Sequence, residues 1–530
     1  MALLNLSDSP RSPLGIPILI HRYIFIGCIV LLCIAMSTST FLTSLPEIML
    51  AANWLLEGGL GEKMKRLFKN KAALVVISFF IMHLLGLLYT SSQGMEYGLG
   101  DVKKKLPLLL LPLVFATSYS ITDKEKRVMI LCFMLAVTYV TFLGTYLLLS
   151  HQLGDIHEIS PYVDAVRLAM MIVLSIFLMV HYVLTSKWSA ISAVLLVWCL
   201  WLFAFLFIMQ SLTEVIVMLM ISVILLGQQA FVIMREKKKI YGVLILLTAG
   251  LALGGSVGYL YHFYHKYFPA PDNIEWINTD KTTALGNPYY SYVNNNQTEN
   301  GHYVFAYVCW PELKKAWEER SKINFDSNDL KGNKMSFTVV RYMASKNLRK
   351  DADGVSKLTD ADIKAIEMGM PNASFSSLTS MPYRIYQVFW ELEDYRHGGN
   401  PGGHSFAQRL EFWKAASNII KGHPLIGVGT GDVRIAFDNE YNAMHSMLGE
   451  KYRLRSHNQW LEIGVAFGLI GMLCFFITLF YPAFKTGKIY TYAYFIFWAI
   501  FMISICTEDT LETQAGATFY AFFNAFFLFL

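Results

Sequence analysis

The chain has 530 residues, 55% of them hydrophobic, 15% aromatic and only 16% charged. That balance excludes an ordinary soluble globular protein. The formal net charge of +5 gives no argument for nucleic acid, because the basic residues fall in short runs between apolar segments. Six cysteines (Cys28, Cys33, Cys132, Cys199, Cys474 and Cys506) lie in or beside apolar sequence and only Cys309 in polar sequence, so no disulfide framework is expected.

A hydrocarbon core about 30 Å thick needs about 20 apolar residues per helix. On that measure about twelve spans are expected, over 17–36, 38–57, 72–91, 106–120, 128–150, 164–184, 189–209, 211–233, 240–263, 457–482, 489–506 and 513–530. The first lacks a small-residue cleavage site and reads as a retained helix. Pro46 and Pro107 make the second and fourth kinked or partly interfacial. Basic runs at Lys63–Lys71, Lys124–Arg127, Arg235–Lys239 and Lys485–Lys488 all fall on one side if there are twelve spans with both termini in the cytoplasm. The expected architecture is an all-α polytopic membrane protein: a membrane domain over 1–263, a large, mainly helical periplasmic loop domain over 264–456, and C-terminal membrane helices over 457–530.

Within that loop, Pro311–Ser321 and Thr359–Met368 have helical periodicity, and a little strand is expected around Ser336–Tyr342. Asp351-Ala-Asp353-Gly354 looks like the start of a calcium loop, but Asp362 stands at the twelfth position where glutamate is needed, so it reads as a turn. No metal site and no cofactor are expected.

Two basic sites break the positive-inside pattern. Lys103-Lys104-Lys105 precede the fourth span, where they either snorkel to lipid phosphates or bind an anion. Arg167 opens the sixth span and is costly if it faces lipid, so it needs an anionic partner, either Asp164 or a phosphate. At the start of the tenth, Arg455-Ser-His457-Asn458 sets an imidazole at the membrane boundary beside an amide and Arg453. An imidazole of ordinary pKa, about 6.5, accepts a proton from a hydroxyl near neutral pH.

His457-Asn458, nine residues and Gly468-Leu469 follow Arg409-Leu-Glu-Phe-Trp413 and His423-Pro424-Leu-Ile-Gly427-Val-Gly429. Together, in this order, they resemble the motifs of the O-antigen ligase (Wzy-C) family. The resemblance implies a GT-C-like bacterial inner-membrane enzyme with its active site facing the periplasm. It implies transfer of a glycan from undecaprenyl pyrophosphate to a lipid A–core hydroxyl, inverting and without a metal. Polymerases of O-antigen or exopolysaccharide and protein O-oligosaccharyltransferases share the domain and remain alternatives. A polysaccharide transporter would instead show charged mid-helix residues and repeated halves, and neither is evident.

On this resemblance, His457 is the general base and Asn458 helps orient the acceptor. Arg409 and Arg167 hold the diphosphate, with Arg384 and Lys105 as further cations. Many members carry an arginine where this chain has Glu214; another residue then supplies that charge, and Glu214 is free to pair with Arg167.

Overall fold

The computed structural model describes residues 11–150, 159–236, 238–273, 281–293, 297–378 and 380–530. It is mostly helical and divides into two compact units, residues 1–221 with 409–530, and residues 222–408. The second unit takes in part of the helix Leu212–Arg235 and all of Lys239–Tyr267, whereas residues 409–456 group with the first.

All twelve expected apolar segments form helices, but eight of them are long and apolar enough to cross a membrane among the described residues. Those eight are Ile18–Thr38, Lys71–Tyr89, Asp123–Leu149, Ala165–Thr185, Ala190–Ile208, Leu212–Arg235, Lys239–Tyr267 and Gln459–Lys485. The other four, Thr40–Leu56, Pro107–Thr117, Tyr492–Ser504 and Gln514–Phe529, are shorter. At 1.5 Å per residue the shortest of these reaches only about 17 Å. Pro46 sits inside Thr40–Leu56, and Pro107–Thr117 starts on one proline and contains Pro112.

The last helix, Gln514–Phe529, is the centre of the first unit. Phe519, Tyr520, Phe522, Phe523 and Phe526 on it are all buried, and it packs against Pro107–Thr117 and Tyr492–Ser504. Phe501 stacks on Tyr520 with ring centroids 4.2 Å apart. A helix apolar on every side is stable only when enclosed in this way or faced by lipid.

The Gln459–Lys485 helix is broken at Gly468, whose φ of 61° and ψ of −158° are non-helical. The break frees backbone groups that the Pro424–Gly429 segment takes up. Val428 and Gly429 donate to the carbonyls of Val465 and Ala466, both at 2.9 Å. In return Leu469 donates to the Pro424 carbonyl at 2.8 Å. A Cβ on Gly427 would lie 2.4 Å from Ala466, and one on Gly468 would lie 2.4 Å from Leu425. The glycines of both sequence motifs therefore serve one close backbone contact.

In the second unit, Trp310–Arg320 and Asp360–Glu367 are helical as the periodicity implied, the latter closed by a capping box of Thr359 and Asp362. The strand expected at Ser336–Tyr342 is instead part of the helix Met335–Ser345. Its β-branched residues favour a strand locally, but Met335, Val339 and Met343, four residues apart, are each fully buried on one helical face. Asp351 caps the short helix Ala352–Ser356 through the amide of Gly354, which is what the calcium-like signature encodes.

Gly468→Ala places a side chain in a backbone region almost reserved for glycine and against the Leu425 backbone. The expected loss is about 1–3 kcal/mol or more, read as a lowered thermal midpoint in detergent; a midpoint equal to wild type would show that this contact does not hold the broken helix.

Candidate active site

The site is organised by a loop that the sequence motifs do not include. Between Tyr492–Ser504 and Gln514–Phe529 the chain runs Ile505-Cys-Thr-Glu508-Asp509-Thr-Leu-Glu512-Thr513, and all three acidic residues are buried. The start of the Gln459–Lys485 helix holds this loop in place. Asn458 caps that helix through Leu461 and donates from its amide to the Cys506 carbonyl at 2.6 Å. The Gln459 backbone donates to the Ile505 carbonyl at 3.0 Å. Its side chain accepts from the Leu511 amide at 2.8 Å and donates to Glu512 at 2.9 Å. Asn458 and Gln459 are thus positioning residues for the acidic loop.

His457 immediately precedes this clamp with φ of +45°, an unusual backbone for a non-glycine residue. Its Nδ1 lies 3.3 Å from Asp509 Oδ1, an ion-pair approach without the alignment of a good hydrogen bond. Phe412 packs near the ring, with centroids 5.7 Å apart.

Three arginines from three other segments converge on the same carboxylates. Arg409 pairs with Glu508 at 2.5 Å. Arg167 lies 3.1 Å from Asp164, 3.9 Å from Glu508 and 3.8 Å from Asp509. Arg455 lies 3.0 Å from Glu512, 3.3 Å from Glu462 and 4.0 Å from Asp509. Even so, the Nε groups of Arg167 and Arg409 and the indole N–H of Trp413 are buried without hydrogen-bond partners among the described residues. Buried donors of this kind call for an acceptor.

Burial pulls the His457 pKa down, but Asp509 and Glu508 beside it outweigh that and hold it above the ordinary imidazole value. Asp509 is buried too, and His457, Arg455 and Arg167 together hold its carboxyl below the usual range. Glu508 goes the other way, because burial raises it more than Arg409 and Arg167 lower it.

Lys105 is not open to a diphosphate. It is fully enclosed, with Asp101 and Glu512 each 2.6 Å from its ammonium, whereas Lys103 and Lys104 are exposed. Its place is structural: it neutralises Glu512, whose other cation is Arg455. Among the described residues Glu214 does not pair with Arg167; it accepts from Ser211, and its other oxygen is buried without a partner there. Arg384 belongs to the second unit and donates to Gln387 and Ser405.

His457, Glu508 and Asp509 offer three metal-ligand atoms within 4.8 Å of one another. Those carboxylates already face Arg167, Arg409 and Arg455, so a divalent cation there would meet three guanidiniums. The electrostatics favour an anion beside the arginines over a metal among the carboxylates.

Residues 369–476 match a family model described as O-antigen ligase (Wzy_C). No curated protein matches the chain. The matched segment contains Arg409, Arg455 and His457, whereas Arg167, Lys105 and the acidic loop lie outside it.

Proposed function

From the O-antigen ligase (Wzy_C) domain that residues 369–476 carry, we propose that this chain is a lipid-carrier-dependent glycosyltransferase of the bacterial inner membrane. It moves a glycan from undecaprenyl pyrophosphate to a hydroxyl of a lipid A–core acceptor at the periplasmic face. The observation that carries the reading is the convergence of His457, Asp509, Arg409 and Arg167, with two guanidinium Nε groups lacking acceptors among the described residues.

In this mechanism Asp509 keeps the Nδ1 proton of His457, which leaves Nε2 to take the proton of the acceptor hydroxyl. The acceptor oxygen then attacks the anomeric carbon as the bond to the diphosphate breaks, and the configuration inverts. Arg409 and Arg167 exchange part of their contact with Glu508 and Asp509 for the diphosphate oxygens and stabilise the charge that develops on the leaving group. The carrier–phosphate linkage supplies the driving force, so no nucleotide enters. The phosphate clamp consists of guanidiniums, and no metal takes part.

His457→Ala is expected to cut transfer by about 10²- to 10⁴-fold while donor binding persists. His457→Asn, which suits the left-handed backbone, should lose as much. Arg409→Lys keeps the charge but not the bidentate geometry, and should bind donor weakly. Transfer assays paired with donor-binding measurements separate the two; near-normal transfer by either His457 variant would sink the mechanism.

The acid limb of the pH profile gives a second check. The base must be unprotonated, so transfer falls as pH drops through the His457 pKa, which stands above the ordinary imidazole value because of Asp509 and Glu508. Asp509→Asn removes one of those charges. It should therefore shift the limb of kcat/KM to lower pH and also reduce the plateau, because the ring loses its orienting partner. An unmoved limb would dissociate Asp509 from the base.

Purified protein should keep its transfer activity in EDTA. Loss that magnesium or manganese restores would put a cation at His457, Glu508 and Asp509 and replace the guanidinium clamp.

A further inference from the structure

The second unit contains a cavity of about 330 Å³ that the proposed reaction does not use. This is at the small end of the range for ligand sites, about 300–1,000 Å³. Its walls combine two kinds of surface. Tyr264, Phe268 and Trp390 contribute rings, and Gln297, Glu393 and Asp394 contribute an amide and two carboxylates.

Both surfaces are held rigidly. Tyr264 and Phe268 stack with centroids 5.5 Å apart, and the Tyr264 hydroxyl donates to Glu393 at 3.0 Å. The Gln297 amide donates to Asp394. Trp390 is buried, with the Arg341 guanidinium 3.8 Å from its ring centroid. The rings and carboxylates therefore keep their geometry without a ligand, which lowers the ordering cost of binding one.

We infer that this cavity is a saccharide-binding subsite for a neutral or amino-bearing sugar unit. A pyranose ring presents C–H faces that pack on aromatic rings and hydroxyls at its edge that donate to carboxylates and amides. The cavity offers both partners. An acyl chain would strand Glu393 and Asp394 against hydrocarbon. A phosphate or an acidic sugar would meet the Asp394 carboxylate beside Glu393, which is paired with Arg396 at 2.9 Å, and among the described residues the basic side chain of the lining is His397, whose Nδ1 is engaged by the Glu393 carbonyl. The subsite thus selects by charge in the opposite sense to the arginine cluster of the first unit. It needs no chemistry there, so it stands whatever reaction the first unit performs.

The test is equilibrium binding to the full-length chain in detergent, followed by saturation-transfer NMR. The probes are N,N′-diacetylchitobiose, its de-acetylated cationic form, digalacturonate and tri-lysine. The first two are expected to bind and digalacturonate is not. Ala270→Trp, at an exposed position on the cavity wall, should fill the cavity and weaken both disaccharides roughly tenfold or more with an unchanged thermal midpoint. His457→Ala should leave that binding intact, which separates the subsite from any acceptor bound beside the histidine. Glu393→Gln should weaken the cationic disaccharide more than the neutral one. Absence of disaccharide binding at millimolar concentration would overturn the inference. So would binding undiminished in Ala270→Trp, equal binding of digalacturonate, or tri-lysine that binds in preference to either disaccharide.

Discussion

Burying Glu508, Asp509 and Glu512 within five residues is the constraint on which the first unit depends. An isolated carboxylate moved from water into a low-dielectric interior costs several kcal/mol even after relaxation. Three in one short loop are tolerable only if cations are brought to them. The chain delivers Lys105, Arg167, Arg409 and Arg455, each from a different segment, and every one pairs with a residue of the loop. The loop therefore works as an electrostatic hub: elements more than 400 residues apart in sequence meet because its charge has to be matched. Lys105 shows how tight this is, since it is fully enclosed yet keeps two carboxylates at 2.6 Å.

The same arrangement sets up an exchange in the mechanism proposed above. Arg409 and Arg167 are paired without substrate, so they stay charged and ordered, but each keeps one buried N–H without an acceptor among the described residues. A diphosphate would satisfy those donors and weaken the hold on Glu508. Glu508 is the carboxylate best suited to release its partner, because burial already raises its pKa toward the neutral form. Asp509, drawn down by three cations, stays ionised and continues to orient His457. Two adjacent carboxylates thus take different roles through their partners.

Much of this was legible in the sequence, and the parts that were not have physical causes. The apolar segments were readable because a membrane span imposes length and composition, and all twelve form helices. Their number as full spans was not, because hydropathy does not register where a proline opens a helix late or a buried polar loop ends one early, as at Pro107–Thr117 and Tyr492–Ser504. Arg167 stands out in the sequence as a cation out of place, whereas His457 and Arg409 stand out through the motifs that resemble the O-antigen ligase family. The acidic loop was missed although Glu508-Asp509-Thr-Leu-Glu512 is visible between two apolar runs; taken alone, such a run reads as a solvated turn. Lys105 reads from sequence as a cation for lipid phosphate or a diphosphate, because its buried partner Glu512 is 407 residues away. At Met335–Ser345 a local strand preference yielded to burial of one helical face.

The glycine motifs connect the fold to the chemistry. Arg409 lies on the helix Ser405–Gly422, which leads almost directly into Pro424–Gly429. That segment pairs by backbone hydrogen bonds with Val465–Ile470, on both sides of the break in the helix that His457 precedes. The arginine and the histidine are therefore set by one backbone junction, which begins at Pro424 after Arg409 and at Val465 after His457. Side-chain packing alone would let two helices slide past each other. Four backbone hydrogen bonds, closed by glycines that admit no Cβ, fix the register instead. The motif residues that carry no functional group thus determine where the ones that do will meet.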